Sequence, residues 1–145
     1  MCEVDLNIIE SLKNDMDVKI YNRASFVINE NLRTHDAAIK LNEFKLTEIG
    51  NLMYQSHAGL KDLYEVSCNE LDYLVDLTKA HEHIIGSRMM GGGFGGCTIN
   101  LIHKRFIDEF IEEASKSYFE KFSINLTPIE INICDGVKIK NLQTD

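Results

Sequence analysis

An α+β fold, with helices packed on one face of a small, mostly antiparallel sheet, is predicted by three observations. Apolar residues recur at helical spacing through most of the first 85 residues, five glycines then crowd into the six positions from Gly91 to Gly96, and strand-like runs follow. The order is helices first, then strand, helix, strand.

Taken along the chain, a short helix is expected around Leu6 to Leu12. From Ala24 to Lys40 the residues Ala24, Val27, Ile28, Leu32, Ala38 and Ile39 approximate one face of a helix. A second amphipathic stripe runs from Leu46 through Ile49, Met53, Leu60, Leu63 and Tyr64, interrupted on its face only by Ser56 and His57. Ser67 followed three residues later by Glu70 has the spacing of a capping box, so a third helix is expected to open there and run through Leu71, Leu74, Val75, Thr78 and Ile85. Cys97 to Ile102 reads as a strand. Phe106, Ile107, Phe110, Ile111, Ala114, Tyr118 and Phe119 mark a fourth helix, and Ile129 to Cys134 alternates with the period of two expected of a second strand. The tail after Lys140 is expected to fray.

Composition bounds the class. The 145 residues suit one domain, since domains most often run about 100 to 150 residues. Hydrophobic residues at 44% and charged residues at 26%, with a single proline, are those of an ordinary globular protein and argue against disorder. A formal charge of -8 without a basic run disfavours nucleic acid, whose binding proteins cluster Lys and Arg against phosphates. Met1 to Glu10 carries acids and no apolar segment, so neither a leader peptide nor a membrane anchor is expected. Cys2, Cys68, Cys97 and Cys134 form no CxxC pair; free thiols in a reducing cytoplasm are the simplest reading, with Cys97 and Cys134 as buried packing residues.

The chemistry is concentrated at Gly91, Gly92, Gly93, Gly95 and Gly96 with Arg88 beside them. So many glycines favour neither helix nor strand, and they keep the chain bare of side chains. A tight structural turn and a loop whose backbone approaches a phosphate are both open on these grounds. Gly91, Gly93 and Gly96 satisfy GxGxxG, but a strand pattern rather than a helix follows, which disfavours dinucleotide binding; Gly96 is followed by Cys97 and Thr98 with no lysine, which excludes a Walker A loop. If the loop approaches a phosphate site on a partner, at least two glycines should have positive φ and the loop should lie at the surface. Arg88 suits either phosphate oxygens or a neighbouring acid. Other polar groups suggest less. Ser56 and His57 point about 100° apart on a helix, so core packing, with the glycine loop as a candidate neighbour, outweighs catalysis. His81 and His83, two apart, do not match a zinc helix and read as solvated; Glu30 and Arg33, one turn apart, read as a surface pair.

The run from Gly86 to Leu101, GSRMMGGGFGGCTINL, resembles the third signature motif of galactokinases, members of the GHMP small-molecule kinase family. Three further blocks resemble the same family in the same order: Arg23-Ala24, Glu30-Asn31-Leu32-Arg33-Thr34, and the stretch from Leu52-Met53 through Ser56-His57 to Tyr64-Glu65-Val66-Ser67-Cys68 and Glu70-Leu71-Asp72. Met90 stands where the family usually has threonine, and Ala58-Gly59 replaces the more usual residue before Leu60.

The resemblance implies a C-terminal domain of ferredoxin-like type over residues 1–145. The family's GR.NLIGEH and PxxxGLSSSA motifs, and the Asp and Arg credited with phosphoryl transfer, belong to the N-terminal half and are not among these residues. It also implies a reaction: ATP, with Mg²⁺ bridging its phosphates, phosphorylates the anomeric hydroxyl of galactose. No catalytic or metal-binding residue is then expected in this chain, whose loop Gly91 to Gly96 would steady the phosphate loop of the kinase's N-terminal domain. The chain alone should be inactive, and the face meant for that domain should be exposed and prone to self-association. An N-acetylgalactosamine kinase would show similar blocks, and a non-catalytic sensor of galactokinase type is the competing class.

Overall fold

A computed structural model describes residues 5–131. Helix α1, Leu6–Ser11, is capped by the Asp5 carboxylate, which accepts from the Ile8 N–H at 3.0 Å. Asp17 caps α2, Val18–Asn42, in the same way through the amides of Lys19 and Ile20. Helix α3 spans Leu46–Asp62, and Phe44 turns the chain between α2 and α3 with a φ of 56°. Helix α4 spans Asn69–Thr78. Two strands follow, β1 at Ile84–Met90 and β2 at Cys97–Ile102, and a 3-10 turn at Lys104–Phe106 leads into α5, Ile107–Phe122. Ser123 ends α5 in the left-handed conformation, its N–H donating to Phe119 O at 2.8 Å.

The strands form an antiparallel pair, Met90 opposite Cys97 and Ile84 opposite Ile102, with an irregularity between Ile84 and Gly86. The α+β class expected from the sequence is therefore the observed one. Phe26 and Ile28 of α2, Leu71, Leu74 and Val75 of α4, Ile84 and Met89 of β1, and Ala114 and Tyr118 of α5 make the core. Burying each large apolar side chain there contributes about 1.5–3 kcal/mol. Among the described residues, no helix is long and apolar enough to cross a membrane.

Several expectations are corrected. The third helix ends at Thr78, and Ile84 and Ile85 belong to β1, a strand hidden in the sequence because Gly86, Ser87 and Arg88 are poor strand formers. No capping box opens α4: its N-cap is Cys68, with extended backbone, and the Ser67 hydroxyl instead donates to Asp72 Oδ1 at 2.5 Å. Cys97 is exposed rather than buried, since it sits where β2 leaves the glycine turn. His81 and His83 lie in the turn between α4 and β1, not on a helix, and both pack: His83 stacks on Phe106 at 3.5 Å and His81 meets Phe110 edge-on. Of the strand expected over Ile129–Cys134, residues 129–131 carry no strand and the remainder lies outside the described residues, as do Cys2 and the tail after Lys140.

Candidate functional site

The glycine segment is the six-residue turn of the β1–β2 hairpin. Gly91, Gly93, Gly95 and Gly96 have φ of 88°, 86°, 135° and 98°, a region that residues with a side chain seldom occupy. The turn is largely at the surface and runs directly into β2 at Cys97. Phe94, also at positive φ (58°), projects from the tip with 76% of its surface exposed.

Crowding within the chain accounts for one of the five glycines. A Cβ on Gly93 would lie 2.1 Å from the Val66 carbonyl oxygen, beside the bond that the Phe94 N–H donates to that same oxygen at 2.8 Å. Around Gly91, Gly92 and Gly95 a Cβ would meet nothing within 4 Å among the described residues. Gly92 is the informative one, because its φ is not in the left-handed region either. Neither backbone conformation nor any described neighbour requires it to be bare.

Arg88 stands on β1 opposite Ile99 and pairs with an acid of α2. Its guanidinium Nη1 is 3.5 Å from Glu30 Oε1, while its Nε donates to the Met89 carbonyl at 3.0 Å. Glu30 does more than the helix-surface pairing expected of it. Besides Arg33 it accepts from the Ser56 hydroxyl, so one carboxylate joins α2, α3 and β1. Periodicity could place Glu30 on α2, but no local signal shows what lies across from it.

His57 and Ser56 are buried, at 4% and 2% exposure, as expected of core polar packing. His57 packs against β1 rather than the glycine turn: its Nδ1 accepts from the Met89 N–H at 3.3 Å, and its Nε2 lies 3.3 Å from Asp72 Oδ1. Burial, partly opposed by the Asp72 carboxylate, holds the imidazole pKa below its ordinary value. Asp72 is itself placed by the Ser67 hydroxyl and by Lys61 Nζ at 3.0 Å. Among the described residues no group of three or more His, Cys, Asp or Glu could hold a metal ion.

The family model "GHMP kinases C terminal" matches residues 37–121, more than half of the chain and the whole span from α3 through the hairpin to α5. The chain belongs to the GHMP kinases. Individual GHMP kinases match over more of the chain. It is 43% identical over 129 residues to a galactokinase of Thermotoga neapolitana, covering 89% of this chain and 37% of that protein. It is 44% identical over 116 residues to a galactokinase of Clostridium acetobutylicum, covering 80% and 30%. The structure of Lactococcus lactis galactokinase complexed with galactose superposes with a TM-score of 0.79 at 32% identity, over 85% of this chain and 32% of that one. The chain thus spans about a third of the length of the relatives it matches.

Proposed function

We propose that residues 1–145 act as the C-terminal domain of a galactokinase, the enzyme that transfers the γ-phosphate of ATP to the anomeric hydroxyl of galactose to give galactose 1-phosphate and ADP. Phosphoryl transfer of this kind depends on positioning and charge stabilisation. The part assigned to this chain is a wall of the active-site cleft, the hairpin Gly91–Gly96 lying against the nucleotide loop of the kinase's N-terminal domain. Magnesium, which bridges the phosphates of ATP, is assigned to groups outside the described residues.

The observation that carries this reading is Gly92, kept bare with no described residue near its Cβ position and no left-handed backbone to require it. A surface built to admit another chain or a phosphate closely has that property. The galactokinase identity of the similar proteins supports the choice of sugar. Exposed Phe94, together with Met90 at 48%, suits a surface that meets the rest of the kinase. A cytoplasmic setting belongs to the same proposal, and Cys68 and Cys97 are free thiols.

Measurements on the full kinase and on this chain alone test it. A kinase containing these residues should phosphorylate galactose in preference to N-acetylgalactosamine, and Gly92→Val should raise its KM for ATP without lowering its melting temperature; an unchanged KM would remove the hairpin from the nucleotide site. The 145-residue chain alone should show no galactose-dependent ADP release above a protein-free blank and should self-associate in light scattering. Turnover by this chain, or a strict monomer, would count against the division of labour proposed.

A further inference from the structure

We propose that His57 is a positioning residue for the hairpin: as the neutral imidazole protonated on Nε2, it holds the Met89 amide and so sets the course of the chain into Gly91. The proposal rests on the reading of the hairpin as a nucleotide-facing wall.

Met89 lies two residues before Gly91 and is fully buried. Both of its main-chain polar groups go to side chains: the N–H donates to His57 Nδ1 at 3.3 Å, and the C=O accepts from Arg88 Nε at 3.0 Å. That is the arrangement of a strand residue whose polar groups face away from its partner strand. Within the described residues β1 pairs with β2 alone, and α3 meets the main chain of β1 at Ile85 O and at the Met89 N–H. A buried main-chain N–H without an acceptor is strongly disfavoured, which gives the imidazole a defined task.

The geometry along α3 fits that task. Gly50 and His57 are seven residues apart, two helical turns, so they share a face and are separated by about 10.5 Å. On β1, Gly86 and Met89 are three residues apart, about 10 Å. Gly50 is pressed against Ile85 and Gly86, where an added Cβ would come within 1.8 Å of Ile85 O. The close glycine contact at one end therefore brings His57 into reach of Met89 at the other.

Accepting from Met89 leaves Nδ1 without a proton, so the proton of the neutral ring is on Nε2, facing Asp72 Oδ1. Asp72 is held by Ser67 and Lys61, which makes the tautomer a consequence of α4 and its lead-in. The other charged groups around the ring are Asp76 and Lys79; Arg88 of β1 is directed to Met89 O and Glu30. Glycines have little conformational preference of their own. The hairpin is consequently steered at two points: at its root by His57 on Met89, and at its tip by Val66 O on the Phe94 N–H.

The test uses the full-length kinase. His57→Leu should raise KM for ATP about tenfold, the effect of leaving one buried amide unpaired, with KM for galactose unchanged. Amide exchange over residues 89–96 should accelerate in the same variant. His57→Asn, whose amide oxygen takes the place of Nδ1, should bring KM back to within about threefold of the parent. If the leucine variant does not fold, His57→Gln, whose amide reaches the Nε2 position, serves in its place. Nitrogen-15 chemical shifts of His57 should report the Nε2–H tautomer. An Asn variant no better than Leu or Gln, or exchange over 89–96 equal to the parent, would overturn the positioning role. Should exchange accelerate while neither His57→Leu nor Gly92→Val moves KM for ATP, the role stands and the nucleotide reading of the hairpin fails.

Discussion

Gly50 and Gly86 meet backbone to backbone where α3 crosses β1. A Cβ on Gly86 would lie 2.4 Å from Gly50 Cα, and one on Gly50 would lie 1.8 Å from Ile85 O. Main-chain atoms cannot move aside as the end of a flexible side chain can. Gly50→Ala and Gly86→Ala should each destabilise the protein by about 3 kcal/mol or more, at the upper end of overpacking effects. Urea denaturation measures this; a loss below about 1 kcal/mol in both would show that the contact is not close.

Within the hairpin, neighbouring glycines should behave oppositely. Gly93→Ala combines a φ of 86° with a Cβ 2.1 Å from Val66 O, and should cost about 2 kcal/mol or more. Gly92→Ala has no described residue near its Cβ position and no left-handed backbone to lose, so its folding stability should stay within about 0.5 kcal/mol of the parent. Equal melting temperatures for the two variants would contradict this.

Glu30 receives Arg33, Arg88 and Ser56 on a carboxylate that is 21% exposed. Glu30→Gln removes the charge while keeping the shape, leaving two guanidinium groups without their anion. A destabilisation of about 2–3 kcal/mol is expected, as for hydrogen bonds to charged groups in partly buried sites. A double-mutant cycle with Arg88→Gln should show coupling between the two sites, and strict additivity would deny the pairing.

The buried, neutral His57 makes stability depend on pH. Its folded pKa is lowered, chiefly by burial with Lys61 and Lys79 adding to it and Asp72 and Asp76 opposing. The native state therefore binds a proton less readily than the unfolded chain, whose histidine titrates near 6.5. The stabilisation is fully present above that value and is lost as pH falls through the folded pKa. Unfolding free energy should fall as pH drops below about 6.5, and His57→Asn should remove part of that slope. A slope identical in the parent and the variant would exclude His57 as its source.

Periodicity alone determined the long elements. The stripes of α2, α3 and α5 are written into the chain at 3.6-residue spacing because a helix makes its hydrogen bonds within itself. The left-handed backbone of the glycine segment was equally legible, since φ above zero at four positions is a requirement on residue type at those positions. The resemblance of the Gly86–Leu101 block identified the family for the same local reason. What tertiary structure decided was β1, which looks like the approach to a glycine loop. Its Gly86-Ser87-Arg88 centre becomes a strand only because β2 pairs with it and α3 meets its main chain. The exchange of Ser67 from a helix cap to a partner of Asp72, and the meeting of His57 with Met89, have the same origin. A strand's hydrogen bonds leave the segment that makes them. The acceptor for the Met89 amide stands 32 residues away in the chain, and only folding brings it there.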